Sequence, residues 1–547
     1  MKYQNLNDIL LDRAKRFPDE LAYAEVKNDL SFRRSITNSQ LLKKSFWIAN
    51  LIEQKKIDPK DPIYIFSSSR IEFIELFWGV QVSGHPCVPM NLPNFVFYKK
   101  QQKRILNVFK KVNAKVGVYH QADQDLFNEF AEKNPEIEKI DWICIPDETP
   151  AIIDFTSLDI QPDSTAVIQF TSGSTGNPRG IPLNHKQILS NLDNIVQQKS
   201  EDCFNTTVFW LPHNHDMGLF GGFLTTFYVG GKTLLIKTQD YLKNPMIWLN
   251  TISKYRATCT PAPNFAFEKM ARIANKASPD LDLSSLTLIF NGAEFINYKT
   301  VLKFIDLYRK YQLNENIFCN CYGLAEATLI MSGSIFKNRE SICYISKTAL
   351  KQSSLVFVEP ESPDAVGIIS CGKVVERNQL ILSDQPIGQI LIAGESVTQK
   401  YYGDEGADRF EDVIVDGQKK TFFNTNDLGF IHNNEIFILG RNDDVIVHNG
   451  EKIFNSDIAV SISSVSELIV SSSITTYKID STIKIAIELD EMKETDSIKK
   501  KIQEIIFLDF LLIAEIIFVK KGFLPRTTSG KIIRKEAIEK IENEKNT

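Results

Sequence analysis

The chain has 547 residues, of which 43% are hydrophobic and 24% charged, and its formal net charge is −5. This length suits two or three domains, and the ordinary composition excludes a fibrous or largely disordered protein. The acidic balance, without a basic stripe carrying interleaved aromatic residues, argues against a nucleic-acid-binding protein. The eight cysteines are scattered and include no C-x-x-C pair, which favours reduced thiols and a cytoplasmic location.

The first third of the chain alternates helix-like and strand-like patterns. Leu10 to Phe17 and Leu41 to Leu51 predict amphipathic helices, whereas 62–66 (PIYIF) and 115–119 (KVGVY) predict buried strands. This alternation indicates an α/β fold with largely parallel sheets. A basic run from Tyr98 to Arg104 opens another helix; it favours a solvated helix face, with docking of an acidic partner as the alternative.

The ten residues from Thr171 to Gly180 (TSGSTGNPRG) follow an apolar run, 166–170 (AVIQF), that predicts a strand. Glycines in such a loop let the backbone approach a ligand closely, and consecutive N–H groups can form a nest for anions. The loop lacks the Gly-Lys-Ser/Thr ending of a Walker loop. It therefore predicts an ATP phosphate site of another design, with a flexible Ser/Gly-rich linker as the alternative.

Further segments combine polar and catalytic residue types in short motifs. They are FWLPHNHDMG at 209–218, NGAE at 291–294 after the predicted strand 286–290, CYGLAEAT at 321–328, and LPRTTSGKIIR at 524–534. His213, His215 and Asp216 raise the alternative of a zinc site. The H-x-H-D spacing without a further ligand is a poor signal for zinc.

A domain boundary is predicted near Gly440, at GRNDD. We expect a large α/β domain over about 1–440 and a small α+β domain over about 441–547. The small domain ends in a Lys/Glu-rich helix and a polar tail from Glu542 to Thr547, which we expect to fray. The longest apolar run, 505–519, carries two acids and predicts part of a helix and then a buried strand, so no membrane insertion is expected.

In this order, the motifs TSGSTGNPRG, FNGAE, YGLAEAT, TNDLG, GRNDD and LPRTTSGK resemble those of the adenylate-forming superfamily, over nearly the whole chain. That superfamily includes acyl-CoA synthetases, luciferases and peptide-synthetase adenylation domains. WLPHNHDMGLFGG and the YRAT…PAPNFAF run are most similar to the fatty acyl-AMP ligases. The long spacing from Glu326 to Gly372 places an extra segment, about 337–369, where these ligases carry a distinguishing insertion. In the family that insertion is thought to hinder the small-domain movement needed for CoA use.

The resemblance implies a role for each motif residue. Glu326 with Thr171 would hold Mg²⁺, a hard cation suited to oxygen ligands. Tyr322 would stack on adenine, and Asp427 would accept both ribose hydroxyls. Lys531 would bridge the substrate carboxylate and the α-phosphate. The residues assigned in this way to ATP binding are Thr171, Ser172, Gly173, Ser174, Thr175, Gly176, Arg179, Gly292, Ala293, Glu294, Tyr322, Gly323, Asp427 and Arg441.

The resemblance also implies an acyl site and a hinge. His215 would line the acyl or α-phosphate region, and it joins Lys531 and Glu326 as an expected catalytic residue. Asp443 resembles the family's hinge residue. The residues expected at the acyl site are Asp216, Met217, Asn264 and Phe265. The alternatives are plain packing for His215, a helix-surface acid for Glu326 and a solvated side chain for Lys531.

The chain departs from the family pattern at a few positions. Arg179 replaces the usual lysine of the phosphate loop; it keeps the charge but changes its geometry and hydration. Asn426 replaces a glycine, and asparagine tolerates the left-handed conformation better than most residues. The segment 448–453 (HNGEKI) and Asn455 differ from the usual spelling in the region that would face the incoming thiol.

The expected reaction is the activation of a fatty acid by ATP and Mg²⁺ to acyl-AMP and pyrophosphate. The acyl group would then pass to the phosphopantetheine thiol of an acyl carrier protein, expected to be a separate polypeptide because no carrier domain is recognisable in the chain. The alternatives are an acyl-CoA synthetase and, from another class, a nucleotide-binding protein without catalysis. An amino-acid-adenylating enzyme fits the HDMG and PNFAF segments less well.

Overall fold

A computed structural model of the protein describes residues 2–68, 70–93, 98–150, 159–171, 178–403, 406–448, 451–463, 465–466, 468–479, 482–489, 492, 495–510, 512–526 and 532–545. The helices of this part of the chain are α1 (Leu6–Arg16), α2 (Asn38–Glu53), α3 (Arg70–Val82), α4 (Tyr98–Val112), α5 (Gln124–Glu132), α6 (His185–Val196), α7 (Thr225–Val229), α8 (Thr238–Lys243), α9 (Met246–Tyr255), α10 (Asn264–Arg272), α11 (Tyr298–Tyr308), α12 (Lys347–Lys351), α13 (Asn455–Ser463), α14 (Thr495–Phe510) and α15 (Arg534–Lys545). A π-helix, Met217–Leu224, leads directly into α7.

The strands of the described residues are β1 (Leu21–Val26), β2 (Phe32–Thr37), β3 (Ile63–Phe66), β4 (Cys87–Met90), β5 (Val116–His120), β6 (Asp141–Ile145), β7 (Thr165–Thr171), β8 (Arg179–Asn184), β9 (Thr206–Phe209), β10 (Lys232–Ile236), β11 (Cys259–Pro263), β12 (Leu288–Gly292), β13 (Phe318–Gly323), β14 (Ile330–Ile335), β15 (Ile342–Ser346), β16 (Ala365–Ile369), β17 (Lys373–Val374), β18 (Asn378–Leu382), β19 (Gly388–Gly394), β20 (Phe410–Val415), β21 (Gln418–His432), β22 (Glu435–Arg441), β23 (Val445–His448), β24 (Glu451–Phe454), β25 (Ile474–Ile479), β26 (Thr482–Leu489) and β27 (Ala514–Lys520).

Two large sheets form the centre of the molecule. A nine-stranded sheet runs in the order β17-β14-β13-β12-β11-β9-β10-β1-β2, and a six-stranded sheet runs β6-β5-β3-β4-β7-β8. Strand pairs inside both sheets are parallel, while the pairs β1–β2, β13–β14, β14–β17 and β7–β8 are antiparallel. The predicted α/β fold with largely parallel sheets is confirmed, and the predicted strands at 62–66 and 115–119 are β3 and β5.

Local sequence signals explain where several helices begin. Asn5 with Asp8, Thr37 with Gln40, and Asn184 with Gln187 form reciprocal capping boxes at the starts of α1, α2 and α6. Helix α3 supplies many residues to the largest hydrophobic cluster, which contains residues of both sheets. Its Phe73, Phe77 and Trp78 are completely buried.

The expected insertion forms a compact unit of its own. Strands β15 and β16 pair as an antiparallel ribbon, with α12 between them in the chain. Ile345, Leu350 and Ile368 of this unit join an apolar cluster with Phe430 and Phe437, which lie on the neighbouring strands β21 and β22. Phe454 of β24 belongs to the same cluster, so apolar packing continues across the predicted boundary near Gly440.

The last hundred residues build a three-stranded sheet, β25-β26-β27, with its own apolar clusters. The run 505–519 forms the end of α14 and most of β27, as predicted. The prediction of a tail that frays from Glu542 was wrong, because α15 continues to Lys545. The Glu542 carboxylate accepts hydrogen bonds from the Tyr477 hydroxyl at 2.8 Å and the Lys484 ammonium at 2.7 Å, which hold this last turn. Among the described helices, none has the length and hydropathy required of a membrane span.

Candidate active site

A cavity of about 1040 Å³ lies at the ends of the strands that carry the sequence motifs. Such edges are where α/β sheets usually bind ligands. The structure brings together around it every expected site residue within its described part: Thr171, Arg179, His215, Asp216, Met217, Asn264, Phe265, Gly292, Ala293, Glu294, Tyr322, Gly323, Glu326, Asp427, Arg441 and Asp443. The remaining expected residues, Ser172, Gly173, Ser174, Thr175, Gly176 and Lys531, lie outside the described residues.

The two flanks of the expected phosphate loop are fixed by strand pairing. Antiparallel pairing of β7 with β8 sets Thr171 opposite Arg179 and Phe170 opposite Gly180. The Arg179 guanidinium lies over the Tyr401 ring, 5.3 Å from its centroid. The Tyr401 hydroxyl donates a 2.6 Å hydrogen bond to Glu326 Oε1. Tyr401 therefore connects the cation of the loop to the expected Mg²⁺ ligand.

Glu326 lies on a short 3₁₀ helix, Ala325–Ala327, directly after β13. Burial raises the pKa of its carboxyl, and the hydrogen bond from Tyr401 opposes this shift. The charge of Asp216 adds to the rise, while that of Arg409 lowers it. A carboxyl whose ionised form is disfavoured gains from a nearby cation. Its oxygen chemistry fits Mg²⁺, which is often held by one or two carboxylates together with substrate phosphates.

The histidines of the HNHD motif lie in different surroundings. His213 is buried and stacks on Phe73, with 4.0 Å between ring centroids. His215 reaches the cavity and has its Nδ1 atom 2.6 Å from Asp216 Oδ1. Within the described ranges, no group of three or more His, Cys, Asp or Glu side chains has a metal-binding arrangement. The zinc alternative gains no support.

Tyr322, Asp427 and Arg441 meet at the wall expected to bind the nucleoside. The Tyr322 hydroxyl donates to Asp427 Oδ2 at 2.7 Å, and Arg441 Nε lies 3.5 Å from Asp427 Oδ1, its partner across β21 and β22. Burial raises the pKa of Tyr322, and the Asp427 charge adds to that rise. Tyr322 is therefore a neutral donor that orients the Asp427 carboxylate.

Backbone geometry explains two residues of this wall. A Cβ at Gly323 would lie 1.8 Å from the Leu329 carbonyl oxygen, so only glycine fits there. Asn426 has a φ of 62°, the left-handed conformation that asparagine tolerates. The replacement of the family's glycine by Asn426 is therefore accommodated, as predicted.

The other wall is mainly apolar. Met217 begins the π-helix, and Asn264 and Phe265 begin α10. The Phe265 amide donates to Glu294 Oε1 at 2.5 Å, which ties the expected acyl wall to the expected adenine wall. Further apolar lining is supplied by Ile195, Pro261, Phe290, Leu329 and Ile330. This surface can bury a hydrocarbon chain.

The small domain closes the cavity from a third side. Ile532 and Ile533, which directly follow Lys531 in the chain, line the cavity together with Arg534. Arg534 Nη1 is 2.5 Å from Asp444 Oδ1, beside the expected hinge residue Asp443. Ile532, Ile533 and Arg534 thus place the start of the described chain after Lys531 at the cavity wall.

Sequence reasoning missed several residues that line the cavity. Tyr401, Arg409 and Gln169 belong to none of the motifs. Arg409 donates from Nε to the Asn424 carbonyl oxygen at 2.9 Å. Arg104 is the last residue of the basic run 98–104, so the run itself was the available signal.

An α/β enzyme with a ligand cavity at its strand ends is the class that the fold defines. Residues 10–402 match the family model described as AMP-binding enzyme. The chain belongs to this family.

The relatives agree with that membership. A medium-chain-fatty-acid–[acyl-carrier-protein] ligase, JamA of Moorena producens, is 27% identical, with 97% of this chain and 94% of the relative covered. A long-chain-fatty-acid–AMP ligase, FadD26 of Mycobacterium marinum, is 26% identical, with 99% and 98% covered. A chain from a study of fatty acyl-adenylate ligases from E. coli and L. pneumophila has a TM-score of 0.87 at 24% identity, with 100% and 99% covered. The predicted resemblance and the expectation of a ligase are confirmed.

Proposed function

We propose that the protein activates a fatty acid with ATP and Mg²⁺, forming acyl-AMP and releasing pyrophosphate, and then transfers the acyl group to the phosphopantetheine thiol of a separate acyl carrier protein, releasing AMP. One observation carries the proposal. A single cavity joins the charged group Arg179–Tyr401–Glu326 to an apolar wall that includes Met217 and Phe265.

The first step brings two anions together, because the substrate carboxylate attacks the α-phosphate of ATP. The protein must position both and stabilise the charge that develops on phosphoryl oxygens. Arg179 and Arg409 supply fixed positive charge at the cavity, and Lys531 is proposed to reach the reacting oxygens. Glu326 and Thr171 are proposed to hold Mg²⁺, which would neutralise phosphate charge when bound.

Asp427 and Tyr322 are proposed to orient the nucleoside. The hydrogen bond from Tyr322 fixes one carboxylate oxygen of Asp427 at 2.7 Å, so the carboxylate is held in place before ribose binds. Apolar lining beside Met217 keeps water from the acyl end, where the fatty acid tail would lie.

Transfer to a carrier protein is the second part of the proposal. Its support is the similarity to JamA, an acyl-carrier-protein ligase, and the insertion at 337–369, which packs on β21, β22 and Phe454 of β24. All eight cysteines are free thiols, which fits the proposed action in the cytoplasm.

The decisive experiment supplies ATP, Mg²⁺ and a dodecanoate-like acid with either CoA or a holo carrier protein. Acyl-AMP accumulation with acylated carrier and no acyl-CoA is the expected result. Efficient acyl-CoA formation would mean that CoA, rather than a carrier protein, is the acyl acceptor. Absence of acyl-AMP across a panel of acids of different length would contradict the proposal as a whole.

A further inference from the structure

Helix α4 holds both flanks of the expected phosphate loop through two cationic side chains. Arg104 Nη2 donates to the Phe170 carbonyl oxygen at 3.1 Å, immediately before the loop. Lys111 Nζ donates to the Pro178 carbonyl oxygen at 2.8 Å, near the end of the loop. The two residues are seven positions apart, so they share one face of the helix. This face is the continuation of the basic run for which the sequence offered only a solvated surface or an acidic partner.

Arg104 differs from Lys111 because it also lines the cavity. A guanidinium has five N–H donors. Among the described residues, the bond to the Phe170 oxygen is the one hydrogen bond of the Arg104 side chain, and it forms no ion pair with a carboxylate. Burial lowers the pKa of Arg104, yet an arginine remains charged at neutral pH.

A half-buried cation without a carboxylate partner is costly unless an anion joins it. The cavity beside it is where the resemblance places the polyphosphate of ATP. The bond to the Phe170 oxygen anchors the guanidinium next to Thr171, which is paired with Arg179 across β7 and β8. A planar guanidinium fork matches the oxygens of a phosphate group better than an ammonium does.

We propose that Arg104 is a further phosphate-binding residue of the active site, which contacts the β- and γ-phosphates of ATP and the pyrophosphate formed from them. This inference rests on the proposed function, since it takes the cavity to bind ATP. Arg104 acts from a helix outside every sequence motif, and Arg179 acts from the loop itself. Lys111 is a brace for the loop that does not contact the nucleotide.

The test compares Arg104→Met, Arg104→Lys and the matched control Lys111→Met, which removes a cation from the same helix face. Binding of ATP, pyrophosphate and AMP is measured by calorimetry, together with KM for ATP and for the fatty acid. Losing one charge-assisted contact is expected to weaken ATP and pyrophosphate binding by about tenfold to a hundredfold in Arg104→Met. AMP binding and KM for the fatty acid are expected to stay unchanged, and Arg104→Lys to recover part of the loss.

A purely structural role would give another pattern. If Arg104→Met lost AMP and pyrophosphate binding together, a direct contact of Arg104 with the phosphates would be overturned. An equally large loss of pyrophosphate binding in Lys111→Met would overturn it too. Arg104→Met that binds ATP and pyrophosphate like the wild type would also overturn it, while leaving the proposed function intact if the wild type forms acyl-AMP. A wild-type protein that binds neither ATP nor pyrophosphate would overturn both proposals.

Discussion

At the residue scale, the Glu326 carboxyl has an environment that opposes its ionised form. Burial raises its pKa, and the hydrogen bond that the Tyr401 hydroxyl donates to Oε1 at 2.6 Å offsets part of that rise. Glu326→Gln is expected to raise the Mg²⁺ concentration needed for half-maximal pyrophosphate release, because an amide is a weaker ligand than a carboxylate. Tyr401→Phe removes only the orienting hydroxyl. This loss is expected to raise the Mg²⁺ concentration needed for half-maximal pyrophosphate release by about tenfold.

The measurement is a Mg²⁺ titration of pyrophosphate release at saturating ATP. Thermal unfolding of each variant serves as the control for folding. An unchanged titration in Glu326→Gln would count against Glu326 as a ligand. A larger effect of Tyr401→Phe than of Glu326→Gln would mean that Tyr401, rather than the carboxyl, governs metal binding.

The sequence predicted those site residues that lie in contiguous motifs. The ends of β12 and β13 carry Gly292 and Tyr322 to the cavity, and the short helix after β13 adds Glu326. Tyr401 could not be predicted, because it takes its role from Glu326 in a distant segment, and Arg409 lies outside every motif. No local spacing indicates that Tyr401 reaches Glu326, since only the fold brings them together.

At the element scale, strands and helices were predictable where one pattern dominated. The prediction that the chain frays from Glu542 was wrong. It rested on polar composition alone, whereas two long-range hydrogen bonds hold α15. The unit made of β15, α12 and β16 was expected only as an extra segment. Its packing on Phe430 and Phe437 depends on residues sixty or more positions further along, as the shared apolar cluster shows.

A buried ionisable cluster joins α3, β2 and β5. Glu75 Oε2 lies 3.6 Å from His120 Nε2, and Arg34 donates to Glu75 Oε1 at 2.7 Å. Burial raises the pKa of Glu75 to about 7 and lowers the pKa of His120 to about 4. The other charged neighbours of this pair are Glu72, Lys44 and Asp147.

The two groups act on stability in opposite directions. Folded Glu75 keeps its proton where the unfolded side chain has lost it, so its contribution falls as the pH rises from 4.5 to about 7. Folded His120 stays neutral where the unfolded side chain is charged, so its contribution rises with pH between about 4 and 6.5. The two slopes largely cancel in the wild type.

His120→Gln is therefore expected to uncover the Glu75 slope. Its free energy of unfolding should decline relative to the wild type as the pH rises from 5 to 6.5, by up to about 2 kcal/mol at 1.36 kcal/mol per pKa unit. Urea unfolding at intervals across this range measures the slope. Glu75→Gln is the matched variant, and it should show the opposite change. If the free energy of unfolding changed with pH in the same way in all three proteins, Glu75 and His120 would not contribute opposite pH dependences.

The insertion supports a prediction of its own. Leu350 of α12 shares an apolar cluster with Phe454 of β24, so the insertion contacts the small domain. Leu350→Ala is expected to loosen that contact and to permit some acyl-CoA formation, as deletion of about 337–369 would. The point variant keeps Ile345 and Ile368 in the cluster, and the deletion removes both. Val356→Ala, at a half-exposed position of the same insertion, is the matched control and should form no acyl-CoA.

Acyl-CoA formation from CoA, ATP and fatty acid is the measurement, with acyl-AMP formation followed in parallel. A Leu350→Ala protein that folds and adenylates normally but makes no acyl-CoA would contradict the hypothesis that this contact of the insertion restrains the small domain. Equal CoA activity in Leu350→Ala and Val356→Ala would show that contact with Phe454 is not the cause.

At the scale of the whole molecule, the small domain is attached to the large one by specific polar contacts. Ser471 Oγ donates to Glu268 Oε2 at 2.9 Å, and Arg272 donates to the Ile469 carbonyl oxygen. In this arrangement Ile532 and Ile533 line the cavity, next to Lys531 in the chain. We propose that this orientation serves adenylation, the step in which Lys531 is proposed to act.

Lys531→Ala is expected to block acyl-AMP formation and to spare acyl transfer from preformed acyl-AMP, because a domain that swings presents different residues in the two steps. Glu268→Ala removes the Ser471 contact, so it should slow adenylation less severely and likewise spare transfer. Pyrophosphate release measures the first step, and carrier acylation from supplied acyl-AMP measures the second. Equal loss of both steps in Lys531→Ala would refute a separate orientation for each. If Glu268→Ala slowed transfer instead, this orientation of the small domain would belong to the second step. Lys531 would then have to reach the α-phosphate in a different orientation of the small domain.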